Sequence, residues 1–283
     1  MIHSIASVLS ILIVLLIIGA DSVFAQRLAY VTNLNSSEVS VIDTESNLVI
    51  DTIPVENGSR DVAVTPDGTR AYVTGGAVSN NVTVIDTATN TVVDTIPVGL
   101  NPLGVAITPD SARAYVANFG SSNVSVINTA TNTVVNTIPL GLTPVGVAIT
   151  PDGARAYVTN ASSDSVSVID TATNTVIETI LVGFHPSNPA GMAITPDSAR
   201  VYVAVLEHDY VTVIDTVTNT IVDTITAGDG PFRVAITTLP QPPPPPHAKV
   251  PALSEWGMII MASVMGIVGY AVIRRRMVSV SRR

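Results

Sequence analysis

The chain of 283 residues has no cysteine, one tryptophan and four phenylalanines. Without cysteine there is no disulfide framework, so an exported protein of this kind is held by its core alone. Haem attachment through Cys-x-x-Cys-His is excluded on the same ground. Lysine is missing from residues 27–238, where 20 Asp and Glu stand against 7 Arg, a net charge of −13. So acidic a surface argues against nucleic acid and anionic lipid as partners of this part of the chain. The sequence also lacks a Gly-x-Ser-x-Gly elbow, a His-Glu-x-x-His pair and a phosphate-cradling glycine loop. No catalytic residue and no cofactor are therefore assigned, and the expectation is a protein that is not an enzyme. No amphipathic helical stripe runs between residues 27 and 238.

What the chain has is repetition. A Tyr-Val motif recurs at Tyr30, Tyr72, Tyr115, Tyr157 and Tyr202, spaced 42, 43, 42 and 45 residues apart. Val-Ile-Asp-Thr keeps the same step at Val41, Val84, Val168 and Val213, with Val-Ile-Asn-Thr at Val126. Self-similarity at this period means that one supersecondary unit is copied and stacked. Within a unit the runs are rich in β-branched residues and bounded by Gly, Pro, Asn or Asp, as strands are. The second copy reads Val62-Ala63-Val64-Thr65, the turn Pro66-Asp67-Gly68, then 70–74, 82–86 and 91–96. Proline presets φ in that turn, Asp bonds its own backbone, and Gly accepts positive φ.

Four antiparallel strands per step of about 40–45 residues is the arithmetic of a β-propeller blade. The Gly-His…Trp-Asp signature of WD40 repeats is absent. Tyr30-Val31-Thr32-Asn33 and Tyr157-Val158-Thr159-Asn160 instead carry an intact tetrad, kept in part at Tyr72, Tyr115 and Tyr202. On these motifs the chain resembles the YVTN family of β-propeller repeats over nearly all of residues 27–238. The expected fold is all-β, a five-bladed propeller of four-stranded antiparallel blades, with an N-terminal signal helix and a C-terminal transmembrane helix. The first copy has no inner strand before Tyr30, and the last ends with a surplus one at 234–237. Pairing the two closes the ring and removes its open inner edge. Small inner-strand residues such as Gly104, Gly146 and Gly191 suit a narrow channel.

Outside the repeats the chain predicts its compartment. Residues 1–25 read as a signal peptide: an apolar run at 11–18 precedes Val23-Phe24-Ala25, a small-residue cleavage pattern. The alternative is a retained anchor. The repeats span 26–238, a proline-rich linker 239–249, and a sorting segment 250–283. The proline tract in polyproline II makes a stiff stalk. Residues 256–273 are apolar and long enough to cross a bilayer, and Arg274, Arg275 and Arg276 place the end in the cytoplasm. Val250, Pro251, Ala252 and Leu253, followed by Ser254, Glu255, Trp256 and Gly257, resemble the IPTL-CTERM signal of bacterial envelope proteins. That resemblance implies export, a cell-envelope or surface location, transient membrane anchoring, and a sorting transpeptidase of the exosortase kind as partner. An ordinary single-span anchor is the alternative.

Within the repeats, Asp43, Asp86, Asp170 and Asp215 read as turn residues rather than a metal ring, since Asn128 replaces the acid in the third copy. Arg70, Arg113, Arg155 and Arg200 read as solvated strand-edge charges. Antiparallel order puts the nearly constant turns on one face of the ring and the variable loops on the other, where binding usually lives. On that face the lengthened loop with His185 and the segment with Glu207, His208 and Asp209 flank one inner strand. Imidazole plus carboxylate makes them weak metal candidates; the leading expectation is no metal. The expected function is a non-catalytic binding or structural module with a protein or glycan ligand on the variable face. The rival is an envelope metal-dependent hydrolase or lyase using the His185 and His208 loops.

Overall fold

The computed structural model describes residues 27–237 apart from Asn57 and Pro186. The predicted leader, proline-rich linker, span at 256–273 and Arg274–Arg276 lie outside the described residues. Among the described residues no helix is long and apolar enough to cross a membrane. The chain divides into two units, of which the first, Met1–Ile236, holds all the strands of the described residues.

Five antiparallel sheets follow one another as propeller blades. Blade 1 is β1 (Leu28–Asn33), β2 (Glu38–Asp43) and β3 (Leu48–Pro54); blade 2 is β4 (Val62–Val64), β5 (Arg70–Thr74), β6 (Asn81–Asp86) and β7 (Thr91–Pro97). Blade 3 comprises β8 (Pro102–Ile107), β9 (Arg113–Asn118), β10 (Asn123–Asn128) and β11 (Thr133–Pro139). Blade 4 comprises β12 (Pro144–Ile149), β13 (Arg155–Asn160), β14 (Ser165–Asp170) and β15 (Thr175–Leu181). Blade 5 comprises β16 (Pro189–Ile194), β17 (Arg200–Val205), β18 (Tyr210–Asp215) and β19 (Thr220–Thr226).

The core lies between blades. In each of four seams the Tyr, Val and Ile side chains of one blade pack on the Ala or Val, Val and Ile of the next, as Tyr72, Val82, Val84 and Ile96 do on Ala114, Val116 and Ile127. Burying such side chains stabilises a fold by about 1.5–3 kcal/mol each. The tyrosines also reach a hydrogen bond across the seam. Tyr30, Tyr72, Tyr115 and Tyr157 donate to Oδ1 of Asn90, Asn132, Asn174 and Asn219 at 2.9, 3.0, 2.6 and 3.1 Å. Those asparagines have φ between 52 and 55°, a conformation that Asn tolerates better than most residues. One residue thus closes a turn and anchors the neighbouring blade. Burial pushes the Tyr72 phenol up to about 12.

The last residue of the Tyr-Val tetrad has its own partner. Asn33, Asn118 and Asn160 donate through Nδ2 to the hydroxyls of Ser40, Ser125 and Ser167, at 2.8, 2.9 and 2.8 Å, on the adjacent strand. The outer strands are protected edges. Each is bulged opposite Val41, Val84, Val126, Val168 or Val213. Next to the bulge, Asp51, Asp94, Asn136 and Asp223 each accept the following threonine amide at 2.8 Å. A bulge and a side-chain-capped amide both discourage pairing with another chain.

The expected closure is not present as a ladder: among the described residues blade 1 has three strands, and no pairing joins residues 234–236 to β1. The segment nevertheless lies where the next inner strand belongs, because the Gly191 amide donates to the Phe232 carbonyl at 2.9 Å. At that step Arg233 stands in the repeat position held by Gly104, Gly146 and Gly191. A Cβ at Gly104 meets the Val145 carbonyl at 2.4 Å, so inner strands approach this closely only without a side chain.

Candidate functional site

The starts of the inner strands surround an axial cavity of about 260 Å³. Its wall is largely small residues and backbone: Leu103 and Gly104 of β8, Val145 and Gly146 of β12, Ala190 and Gly191 of β16. Threonines of the second strands hold these segments together. Thr74 and Thr159 donate to the Leu103 and Ala190 carbonyls of the following blade at 2.7 and 2.8 Å, and Thr32 donates to the Arg60 carbonyl at 3.1 Å.

Charge enters where the glycine pattern breaks. Asp61 and Arg233 occupy the repeat position of Gly104, Gly146 and Gly191, each beside a bulkier neighbour, Arg60 and Phe232, and all four line the cavity. Asp61 accepts the Val62 amide on Oδ1 at 3.0 Å and the Val105 amide on Oδ2 at 3.1 Å. Burial pushes its carboxyl above the ordinary range, against the pull of those two amides and of Arg233. The Arg233 guanidinium lies 5.9 Å from the centre of the Phe232 ring. Neither Arg60 nor Arg233 has a side-chain hydrogen bond or ion pair among the described residues. A cavity with two guanidiniums that have no hydrogen bond or ion pair among the described residues, an exposed aromatic ring and apolar walls is equipped to hold a small anion with an apolar part.

These four residues were missed in the sequence. The signal was there: aligned on the inner strand, the five copies read Gly, Gly, Gly, Asp and Arg at one position. The cavity opens at the entries to the inner strands, the side on which the variable loops were expected.

The two loops singled out earlier do come together. His208 Nε2 lies 2.8 Å from the Phe184 carbonyl, and the Glu207 amide donates to the Ser187 carbonyl at 3.3 Å. Their side chains do not converge on one point. His185 Nδ1 meets Asp164 Oδ2 at 2.7 Å, His208 stacks on Tyr210 at 5.7 Å, and Asp209 Oδ1 accepts the Gly230 amide at 2.8 Å. Burial pushes Asp164 up, but the amide and hydroxyl of Ser187, together with His185, outweigh it and leave its carboxyl below the usual range. Among the described residues no three His, Cys, Asp or Glu side chains converge as a metal set.

The repeated acids are turn residues. Asp86 Oδ1 accepts the amides of Ala88 and Thr89, both at 3.0 Å, and Asn128 does the same for Ala130 and Thr131 at 3.0 and 3.1 Å. The repeated arginines are not simply solvated edges. Arg113 donates to the Thr171 carbonyl of the next blade at 2.7 Å, Arg155 to Asn219 at 3.1 Å, and Arg200 pairs with Asp215.

Residues 19–176, more than half of the chain, match the family described as "Lactonase, 7-bladed beta-propeller", and residues 250–276 match the IPTL-CTERM motif. The described residues form five sheets where that description names seven blades. No curated protein matches the chain. Among solved structures, one from Desulfotomaculum acetoxidans DSM 771, titled as a functionally unknown protein, is 20% identical with a TM-score of 0.67 over 75% of this chain and 69% of its own. Kuenenia stuttgartiensis hydrazine synthase is 22% identical, with a TM-score of 0.54 over 73% of this chain and 85% of its own. Dihydro-heme d1 dehydrogenase NirN is 18% identical, with a TM-score of 0.58 over 70% of this chain and 43% of its own. At these identities the likeness is one of fold.

Proposed function

The chain belongs to the lactonase family of β-propellers, and from that premise we propose that it is a non-catalytic binding module of a bacterial envelope whose ligand seat is the axial cavity. The observation that carries this reading is the state of Asp61. The carboxylate in the cavity wall has both oxygens turned onto backbone amides, whereas a general base needs an oxygen free to reach the substrate. The free groups are guanidiniums, which bind and orient. The favoured ligand is therefore a small anion with an apolar part, held between Arg60 and Arg233 against Phe232. The IPTL-CTERM motif supports export and sorting through an exosortase-type transpeptidase, with the C-terminal segment in the membrane before processing.

Calorimetric titration of the full chain with a panel of small carboxylates, sugar acids and neutral glycans tests the seat. Arg233→Ala and Arg60→Ala are expected to weaken the best anionic ligand at least tenfold each, a loss of about 1.4 kcal/mol or more. Binding that survives both substitutions refutes the axial seat.

The family supports a second reading, hydrolysis of a cyclic ester in the same cavity. The raised Asp61 carboxyl favours it, since perturbed acids cluster at functional sites. Lactone turnover by the full chain that is lost in Asp61→Asn establishes this reading in place of the first.

A further inference from the structure

We propose that the open side of the propeller unit is a docking surface for a second copy of this chain, blade 5 of one copy seating on blade 1 of the next. The observation is a break in burial that falls at one seam and on both of its faces. Ile53, Ile96, Ile138 and Ile180, one from each of the first four blades, are 3, 3, 4 and 7% exposed, whereas Ile225 of blade 5 is 44% exposed. On the opposite face Val73, Val116, Val158 and Val203 are at most 1% exposed, whereas Val31 of blade 1 is 42% exposed. The hydrogen bond fails at the same seam. Tyr202 is only half-buried, and among the described residues it has no bond to Asn47, the blade 1 counterpart of Asn90 and Asn132.

What fits such a surface is set by the molecule itself. The trailing face of blade 5 repeats the face that blades 1 to 4 each bury against a successor. The leading face of blade 1 repeats the face that blades 2 to 5 each bury against a predecessor. The two are complementary because four copies of their interface already exist. The backbone agrees. Residues 231–236 lie beside β16 in the inner-strand place of a following blade, held by the Gly191 amide. They carry Val234-Ala235-Ile236, as β8 carries Val105-Ala106-Ile107. Among the described residues blade 1 is the sheet without an inner strand, and β1 pairs with β2 alone. Docking therefore adds the tail of one copy to β1 of the next, a strand donation that satisfies open backbone groups while burying apolar side chains. Among the described residues no such ladder forms within one chain, although its own tail is at hand. The interface is apolar and the two partners are both acidic, so added salt screens their repulsion and strengthens association.

A cysteine-free background makes the test direct. Full-length chains carrying Val31→Cys or Ile225→Cys are prepared separately, mixed and oxidised. A covalent dimer between the two variants is expected, several-fold above the homodimer each gives alone. The double variant is expected to give a ladder of oligomers, and Val135→Cys, on an exposed outer edge, to remain monomeric. A double variant that yields only internally cross-linked monomer shows that the ring closes on itself and overturns the proposal. So does equal cross-linking through Val135→Cys, or no cross-linking in the mixture.

Discussion

The Ser111 hydroxyl accepts a hydrogen bond at 3.1 Å from the backbone amide of Asp67, one blade earlier. Ser198 does the same for Asp152 at 3.2 Å. These links run between neighbouring Pro-Asp-Gly or Pro-Asp-Ser turns on the constant face. They alternate because the third residue of the turn alternates: Gly68, Ser111, Gly153, Ser198. Where Gly153 supplies no hydroxyl, a cleft opens between the turns of blades 3 and 4, lined by Asp110, Arg113, Asp152 and Gly153.

The alternation predicts a matched pair of stability changes. Ser111→Ala removes the acceptor and is expected to lower stability by about 0.5–1.5 kcal/mol. Gly153→Ser supplies the missing hydroxyl to the Asp110 amide. Its φ of 74° lies near the 60 and 61° at which Ser111 and Ser198 already sit, so the change is expected to be neutral or stabilising. Chemical denaturation of the two variants checks both signs.

Acid sensitivity should reside in the turns. The Thr89 amide and hydroxyl hold Asp86 below the ordinary carboxylate range, and Asp170 and Asp215 are held down by similar bonds. A depressed folded pKa contributes stability that is present above the unfolded value, about 4, and is lost as pH falls through the folded value. Stability is thus expected to be flat from pH 5 to 8 and to fall below about pH 4. Asp86→Asn, which copies the turn at Asn128, should leave neutral stability close to unchanged and make the acid limb shallower. An unchanged acid limb in denaturant titrations at pH 3 and 4 refutes this assignment.

The alkaline limb has a different source. Burial raises the phenols of Tyr72, Tyr115 and Tyr157, Tyr72 to about 12. A raised folded pKa gives stability that is complete below the unfolded value, about 10, and is lost as pH rises toward the folded one. Unfolding is therefore expected to become easier between pH 10 and 12. Tyr72→Phe should flatten that limb while lowering stability at pH 7, because Asn132 loses its donor. Thermal melts at pH 7, 10 and 11 separate the two effects.

Much of this architecture was legible because the repeat exposes its own logic. Tetrads ending in Asn33, Asn118 and Asn160 go with Ser40, Ser125 and Ser167, while Gly75 and Val205 go with Thr83 and Thr212, so the cross-strand pair can be read from one sequence. The turn role of Asp86 followed from Asn128. Other features needed the third dimension. Arg113 reads as an edge charge along the strand, yet its target is a carbonyl one blade away. His185 and His208 were placed on the right loops, but their rings follow Asp164 and Tyr210, which no spacing rule connects to them. The closure at 234–237 rests on strand counting, and among the described residues no ladder joins 234–236 to β1. The cavity residues are hard to read from sequence because periodic positions invite a scaffold reading, and Asp61 and Arg233 break the period where β8, β12 and β16 carry glycine and not in a variable loop.

The C-terminal motif bears on the mature protein. If residues 250–276 act as a processed sorting signal, mass spectrometry of the envelope form is expected to recover no peptide beyond about Trp256. Tryptic peptides from residues 277–283, or from the uncut apolar stretch, would mark the segment as a plain anchor. Replacing Arg274, Arg275 and Arg276 by Gln should shift the protein from the envelope fraction to incompletely sorted forms, because arginines following an apolar span fix its orientation.

The asparagine that joins turn to blade gives the sharpest test of how the seams are held. Asn174 does two things: its backbone takes a φ of 55°, and its side chain accepts the Tyr115 hydroxyl at 2.6 Å. The two functions separate by substitution. Asn174→Gly keeps the left-handed backbone accessible and removes only the acceptor, for an expected loss of about 1–2 kcal/mol, since the Tyr115 hydroxyl then relies on the Thr171 carbonyl at 3.4 Å. Asn174→Ala removes the acceptor and adds the cost of a Cβ at positive φ, about 1 kcal/mol more. Tyr115→Phe combined with Asn174→Gly should lose less than the sum of the single changes, because both remove the same bond. Denaturant unfolding of the four variants decides it. If Gly and Ala are equal at position 174, the backbone conformation contributes nothing there. If the double change is additive, the bond between Tyr115 and Asn174 does not hold the seam between blades 3 and 4.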